Sequence, residues 1–187
     1  MQDVLRYNMI KNMPEQRDSE FTWKNFQETN NNELVNNIAN FVNRVIVLIN
    51  KYYGGKVPDF DPNVEFTSGS NNTESYYDVE LIDLYDKVQE MSDALYHFDF
   101  RGGLKSLMEI SSIGNSLLQN NEPWKTIKTD PDLTAIVLNL ALQIVAVLRV
   151  CSRPFMPFTS DKLSNLLNLP NLEEKGELQE IMELLAN

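Results

Sequence analysis

The sequence predicts an all-α protein, a helical bundle of about five helices. Apolar residues recur at spacings of three and four along several stretches, which is the pattern of amphipathic helices. One stretch, 133–150, is apolar nearly all round and should therefore be the central helix. No alternating strand pattern of any length appears. With 187 residues and 42% hydrophobic content, the chain can form one ordinary core, or one core and an appendage.

The N-terminal residues, 1–31, are predicted to be a connecting segment rather than part of the bundle. A short helix is expected over 3–11, ending before Pro14, because proline does not continue a helix. The rest of this segment is expected to be irregular or mixed. Asn30, Asn31 and Asn32 are interpreted as turn and cap formers that precede the first long helix.

The bundle itself is predicted to span 32–169, and its clearest amphipathic helix is 33–53. Gly54 and Gly55 should end that helix, because glycine readily adopts the positive φ of a helix C-terminus. The stretch 56–77 contains two prolines and a Ser-Gly-Ser run, and it is interpreted as a long surface loop. The apolar positions of the helix are Leu34, Ile38, Phe41, Val45, Leu48 and Tyr52.

Two further helices are expected over 78–98 and 104–119, separated by a break or cap at Arg101-Gly102-Gly103. Asp130 should cap the central helix, and Pro131 suits its first position.

The end of the chain is predicted to contain two short helices. Pro154 and Pro157 should stop the central helix, after which Thr159 is expected to cap a short helix reaching 167. Residues 170–187 are assigned to a C-terminal acidic helix, whose amphipathic part is 173–185.

The composition excludes several classes of function. One cysteine, Cys151, allows neither a disulfide framework nor a zinc knuckle, and it is interpreted as a buried apolar residue. The single histidine, His97, lacks a catalytic partner at recognisable spacing and is expected at a helix end. No Walker loop, GxGxxG or calcium loop is present. Catalytic chemistry is therefore not predicted, and the expected catalytic and metal-ligating sets are empty.

The charge and hydropathy limit the partners. A net charge of −11 argues against a strong non-specific grip on nucleic acid, although the charges are segregated enough along the chain to permit a local basic face. The apolar stretch 133–150 carries Asn139, Gln143 and Arg149, which a spanning helix would expose to lipid at some cost. We therefore expect a buried bundle helix and no membrane partner.

Two sets of residues could carry a binding function. Asn36, Asn40, Arg44 and Lys51 share the polar face of helix 33–53, and an Arg fork and an Asn amide suit base edges or phosphates. A solvated helix face explains the same pattern. Trp124, after Pro123, is either a core anchor or a platform for nucleobase stacking. Trp23 has only the packing interpretation.

These pieces together resemble the anticodon-binding domain of methionyl-tRNA synthetases. The resemblance runs from about Asp3 to Leu167. Four stretches resemble the domain itself. Two more, 3–7 and 18–23, resemble the segment that follows the catalytic domain in that family. The motifs are specific only in combination. They are Asn-Asn-Ile-Ala-Asn-Phe-Val-Asn-Arg at 36–44, Lys-Tyr-Tyr-Gly-Gly-Lys-Val-Pro at 51–58, Asn-Glu-Pro-Trp-Lys at 121–125 and Pro-Phe-Met-Pro-Phe-Thr at 154–159.

The resemblance implies a helical bundle that recognises the CAU anticodon of methionine and initiator tRNAs. It places the family's contacts to the first anticodon base on Asn40 and Arg44, and the stacking tryptophan on Trp124 beside Pro123. It thus favours the functional interpretation of both sets. Lys51, Lys125 and Arg149 are further candidates for phosphate contacts, on their charge alone.

Several sequence motifs of the family are missing from this chain, and their absence limits the activity expected of it alone. The HIGH and KMSKS signatures and the zinc-knuckle cysteines are absent, so we expect a piece beginning just after a catalytic core, unable to activate methionine. No cofactor is expected here, whereas ATP and possibly zinc would belong to the parent ligase. The expected partners are the anticodon stem-loop and the ligase's own catalytic domain, in the cytoplasm. The alternatives are a helical protein-interaction module without RNA binding and the anticodon domain of a related class I synthetase.

Overall fold

A computed structural model describes residues 2–14, 20–59 and 76–170, with side chains in the second long helix described from Ile82 onward. Within these residues every regular element is helical, which confirms the all-α bundle. In chain order the elements are α1 (Gln2–Lys11), α2 (Trp23–Thr29), a π-helical segment (Asn30–Ala39), α3 (Asn40–Tyr53), α4 (Tyr76–Tyr96), α5 (Phe100–Asn121), α6 (Pro123–Thr126), α7 (Pro131–Cys151) and α8 (Pro157–Leu166).

The central helix of the bundle is α7, as predicted. Its N-terminus has the expected cap, because the Asp130 side chain accepts a hydrogen bond from the Leu133 N–H at 3.0 Å and Pro131 takes the first position. By length and hydropathy α7 could cross a membrane, but 67% of its apolar window is buried inside the protein. That burial is typical of a core helix that neighbours surround on several sides.

The expected helix start at residue 33 is wrong, because helical structure runs without a break over 23–53. Thr22 caps it, accepting the Asn25 N–H at 3.2 Å, and the three asparagines 30–32 lie inside the run. Asparagine is unfavourable in the interior of a helix, but tertiary packing overrides this weak preference. The expected division between residues 31 and 32 therefore falls within continuous helix. Gly54, at φ +62°, ends α3 as predicted.

The expected break at 101–103 is also wrong, because these residues form the first turn of α5. Asp99 caps this helix, its carboxylate accepting the Gly102 N–H at 2.8 Å. The break in the chain lies just before, where Phe98 adopts a positive φ of 60°. The glycine pair suggested a helix end, whereas the Asp-x-x-Gly spacing was the relevant signal.

Thr159 does not cap α8, and the residue that does is far away in sequence. Thr159 lies in the first turn of α8, and both its N–H and its hydroxyl donate to the Asp3 carboxylate, at 2.6 and 2.7 Å. Asp3 is 156 residues away and brings α1 against α8. Tyr7 and Lys11 of α1 also bind Glu33. The first helix, predicted correctly near 3–11, thus packs onto the bundle.

Three expectations lie outside the described residues. They are the C-terminal acidic helix within 170–187, of which only Pro170 is described, most of the surface loop 56–77, and the start of the Asp18–Trp23 motif.

Candidate nucleic-acid interface

Arg44 and Trp124 meet in the folded chain. The guanidinium carbon of Arg44 lies over the Trp124 ring, 5.1 Å from its centroid, and both side chains are half-buried. Asn40 is exposed and lies four residues before Arg44 in α3, so the two side chains share one face of the helix. The structure therefore brings an arginine of α3 onto a tryptophan of α6, with an exposed amide one turn away.

The turn that carries Trp124 is built from local constraints. Glu122 ends α5 in the left-handed region, at φ 42°, and redirects the chain into the short helix α6. Buried Pro123 takes its first position, and the Lys125 N–H donates to the Glu122 carbonyl at 2.7 Å. The hydroxyls of Thr126 and Thr134 lie 2.8 Å apart and join this turn to α7. The turn therefore fixes where Trp124 lies.

Both interpretations of Trp124 are partly met by its surroundings. Its ring packs against the hydrophobic core, as a core anchor would, yet it stays half-exposed and accepts a cation on its face. The face that carries the Arg44 guanidinium is the one a planar group would share or take over. The structure therefore shows a core-packed tryptophan ring with a guanidinium over its face.

Two of the three candidate phosphate contacts lie on this part of the surface. Lys51 follows Arg44 by about two turns of α3, and its ammonium lies 5.0 Å from the Tyr52 ring centroid. Lys125, next to Trp124, forms an ion pair with Glu122 at 2.7 Å. Exposed pairs of this kind contribute only about 0–1 kcal/mol, so this lysine can exchange its partner.

The structure does not bring Arg149 to this surface. Its Nε donates to the Ser164 hydroxyl at 2.7 Å, and an Nη donates to the Pro170 carbonyl at 2.6 Å. Its position in the last turn of α7 is about 27 Å from the first turn, which packs beside α6. The guanidinium joins α7 to α8, so a phosphate contact near Trp124 is not available to it.

One further residue at this edge, Tyr53, belongs to the motif at 51–58 but was not named as a site residue from the sequence. Burial, reinforced by the neighbouring Asp132 carboxylate, raises the pKa of the Tyr53 phenol, which therefore stays neutral and can donate a hydrogen bond. Tyr53 ends α3 and Asp132 begins α7, and no local pattern relates them. Nearby, the buried Asn139 donates to the Pro58 carbonyl at 2.8 Å and holds the chain after α3 against α7.

The packing interpretation of Trp23 is wrong, because this side chain is 77% exposed. Together with Phe21 and Phe26 it forms an aromatic patch at the start of the run 23–53. The ring centroids of the three are 5.2 to 5.9 Å apart, mostly edge to face. Phe21 is also more than half exposed. The three rings therefore pack mainly on one another and leave Trp23 to solvent.

No described group suggests catalysis. His97 lies just beyond α4 with its Nδ1 2.8 Å from the Asp93 carbonyl, the helix-end position that was predicted. Cys151 is fully buried, and burial raises the pKa of its thiol to about 12, so it is the inert apolar residue expected. Among the residues that the structure describes, no cluster of three or more His, Cys, Asp or Glu side chains could hold a metal ion.

Comparison with known proteins gives two family matches. The family model described as the anticodon binding domain of methionyl tRNA ligase matches residues 68–187. The model for class I tRNA synthetases of the methionine type matches residues 1–46.

Similar proteins carry related names. The methionine–tRNA ligase of Flavobacterium johnsoniae is 46% identical over 94% of this chain, and that of Phocaeicola vulgatus is 45% identical over 92%. The chain spans about a quarter of the length of these relatives, 23% and 24%.

Among solved structures, the free-state methionyl-tRNA synthetase of Mycobacterium tuberculosis matches with a TM-score of 0.80 at 17% identity, over 96% of this chain and 34% of that one. The same enzyme in complex with methionyl-adenylate gives 0.76 at 19% identity, with the same coverage. These two similarities concern the fold.

Proposed function

Because the chain belongs to the family of anticodon-binding domains of methionyl-tRNA ligase, we propose that it binds the CAU anticodon of methionine tRNA. It does so as the RNA-recognising part of a ligase that attaches methionine to its tRNA using ATP. The described residues contribute binding and no catalytic step.

The contact between Arg44 and Trp124 carries this proposal. Stacking on the ring limits the freedom of the guanidinium, so less entropy is lost when its planar fork pairs with a base edge. The Asn40 amide, one turn before, supplies a donor and an acceptor for the same base. Trp124 offers its ring to an unstacked anticodon base, which contributes about 1–3 kcal/mol. Stacking holds a base, and the polar pair Asn40 and Arg44 reads the first position.

Backbone contacts would come from Lys51 and Lys125. Both lie beside the reading residues, and Lys125 can leave Glu122 for a phosphate because their pair is exposed. These contacts strengthen binding without selecting sequence, and they weaken with salt. Arg149 has no part in this proposal.

The second partner is the ligase's own catalytic domain. The match to the class I synthetase family covers 1–46, which includes the aromatic patch of Phe21, Trp23 and Phe26. A patch this exposed and apolar is typical of a surface that another part of the protein covers. ATP, and zinc if the ligase uses it, would be held by that domain, and the ligase would work in the cytoplasm.

The decisive experiment is a fluorescence titration of the chain carrying Trp23→Phe, which leaves Trp124 as the single tryptophan. We expect quenching by a CAU stem-loop and a much weaker response to one altered at its first base. Asn40→Ala and Arg44→Ala should remove that difference. A response to neither loop would favour the protein-interaction module, and a preference for another anticodon would favour a related synthetase. ATP–pyrophosphate exchange by the chain alone should stay at background.

A further inference from the structure

A polar bridge joins the π-helical segment to α5. The Asn37 amide nitrogen donates to the Met108 carbonyl and to the Ser112 hydroxyl, both at 3.2 Å. In return, the Asn115 amide nitrogen donates to the Asn37 side-chain oxygen at 2.9 Å and to the Asn37 backbone carbonyl at 3.2 Å. Asn115 thus holds both the side chain and the main chain of one residue in the preceding helical run.

This bridge lies where the helix changes register. The Asn40 N–H donates to the Val35 carbonyl, five residues back, and also to the Asn37 carbonyl. The first bond is the wide π-type bond, and the second shares its acceptor with Asn115. Asn40, the residue proposed to read the first anticodon base, therefore begins α3 with its backbone bound to the residue that Asn115 holds.

Register decides where Asn40 points. Each residue of an α-helix turns the chain by about 100°, so a π turn that returned to α register would change the rotation of Asn40 relative to the residues before the π-helical segment by about that angle. The helix is also seated closely against α5 at the next residue. A Cβ on Gly114 would lie only 2.3 to 2.6 Å from atoms of the Phe41 ring. The junction therefore rests on α5 through both packing and hydrogen bonds.

We propose that Asn115 is a positioning residue for anticodon reading: through Asn37 it fixes the π register that directs Asn40 and Arg44 toward the first anticodon base. The inference rests on the proposed function, but it concerns a residue on another helix, which would act through Asn37. It separates two duties. The α5 bridge sets the direction of the reading pair, whereas the position of Trp124 is set by the turn at Glu122 and Pro123 and by the contact of Thr126 with Thr134.

The test replaces Asn115 by leucine, which has a similar size but no donor. In the Trp23→Phe chain, we expect Asn115→Leu to reduce affinity for the CAU stem-loop about tenfold. The preference over a loop altered at its first base should fall to about twofold or less, since discrimination is the part that Asn40 and Arg44 supply. The quenching amplitude at saturation should persist, because Trp124 stands on α6. Asn115→Gln keeps the amide donor and should recover part of the preference.

The control is Ser164→Ala, which removes hydrogen bonds to Arg149 and Ser160 at the other end of α7 and should leave the preference intact. If the parent chain discriminates and Asn40→Ala abolishes this, but Asn115→Leu still discriminates, the positioning role is overturned. It is equally overturned if Asn115→Leu weakens binding to both loops by the same factor. If the parent chain does not discriminate at all, the proposed function itself fails.

Discussion

The two tryptophans of this chain sit in opposite surroundings. Trp23 is 77% exposed and touches mainly Phe21 and Phe26, which are uncharged and close in sequence. Trp124 is half-buried, rests on the core and has a guanidinium from a distant helix over its ring. Exposure alone would select Trp23 as the stacking residue. The proposed function selects Trp124, because a platform needs a fixed ring with hydrogen-bonding groups beside it.

Under the proposed function, the two tryptophans serve two kinds of recognition. An anchored ring beside Arg44 and Asn40 suits a single planar base. A cluster of mutually packed, exposed rings suits a broad apolar surface of another protein part. Four predictions test this difference.

The largest expected effect separates the two rings in RNA binding. Trp124→Ala should weaken binding of the CAU stem-loop by about 5- to 150-fold, the range that corresponds to one stacked base. Trp23→Ala should leave affinity unchanged within about twofold, since surface changes remote from a site have small effects. Fluorescence anisotropy of a labelled stem-loop measures both without relying on tryptophan emission. Equal losses of stem-loop affinity in the two variants would contradict the proposed difference between Trp124 and Trp23.

The second prediction concerns the cation on Trp124. Arg44→Lys keeps the charge but loses the planar fork and its stacking, so the CAU affinity should fall about tenfold and discrimination at the first base should weaken. Lys51→Arg serves as the matched control, because it keeps a cation on the same helix and should change affinity less than about threefold. The same anisotropy titration, run with both stem-loops, gives the two numbers. Retained discrimination by Arg44→Lys would show that charge suffices.

The third prediction compares the contributions to stability. Trp124→Ala removes a ring packed on the core and should lower the free energy of unfolding by about 1–3 kcal/mol. Trp23→Ala should change it by less than about 0.5 kcal/mol, because its ring is mostly in solvent. Urea denaturation, followed by the circular dichroism of the helices, measures both. A loss at Trp23 as large as that at Trp124 would mean that the aromatic patch supports the fold.

The smallest effect concerns the charge beside Trp124. Glu122→Gln removes the partner of Lys125 and should strengthen stem-loop binding by about two- to threefold at low salt, with the gain fading as salt rises. Glu90→Gln is the control, because it removes an exposed partner of Lys87 on α4. Stem-loop binding isotherms of both variants and the parent chain, recorded at two salt concentrations, measure the gain in affinity and its dependence on salt. Weaker binding by Glu122→Gln would show that the carboxylate itself helps to hold RNA.

Sequence reasoning succeeded where the cause is local. The Asp130 cap, Pro131 at the first helical position and Gly54 at a positive φ follow from nearest neighbours. It failed where a distant residue decides. Thr159 satisfies the cap pattern by its type, yet Asp3 takes that role, and the asparagines at 30–32 read as a helix boundary although helix continues through them.

The candidate site divides in the same way. The resemblance to a family named Asn40, Arg44 and Trp124, and the structure joins Arg44 to Trp124. Charge alone also named Arg149, whose partners on α8 and at Pro170 could not be foreseen from its own segment. Trp23 was given only a packing interpretation, but its solvent exposure depends on which helices pack nearby.

The bond between Asp3 and Thr159 also orders events during synthesis. The helix α1 is synthesised before the rest of the bundle, and its carboxylate meets its partner only after nearly the whole bundle has been made. A contact spanning 156 residues costs more loop-closure entropy than any local one, so it forms late and slowly. Until then α1 lacks its hydrogen bonds to Thr159, and this end of the nascent bundle is accessible to chaperones and proteases. Once α8 is complete, the Asp3 carboxylate accepts its hydrogen bonds from Thr159, and α1 and α8 are protected together.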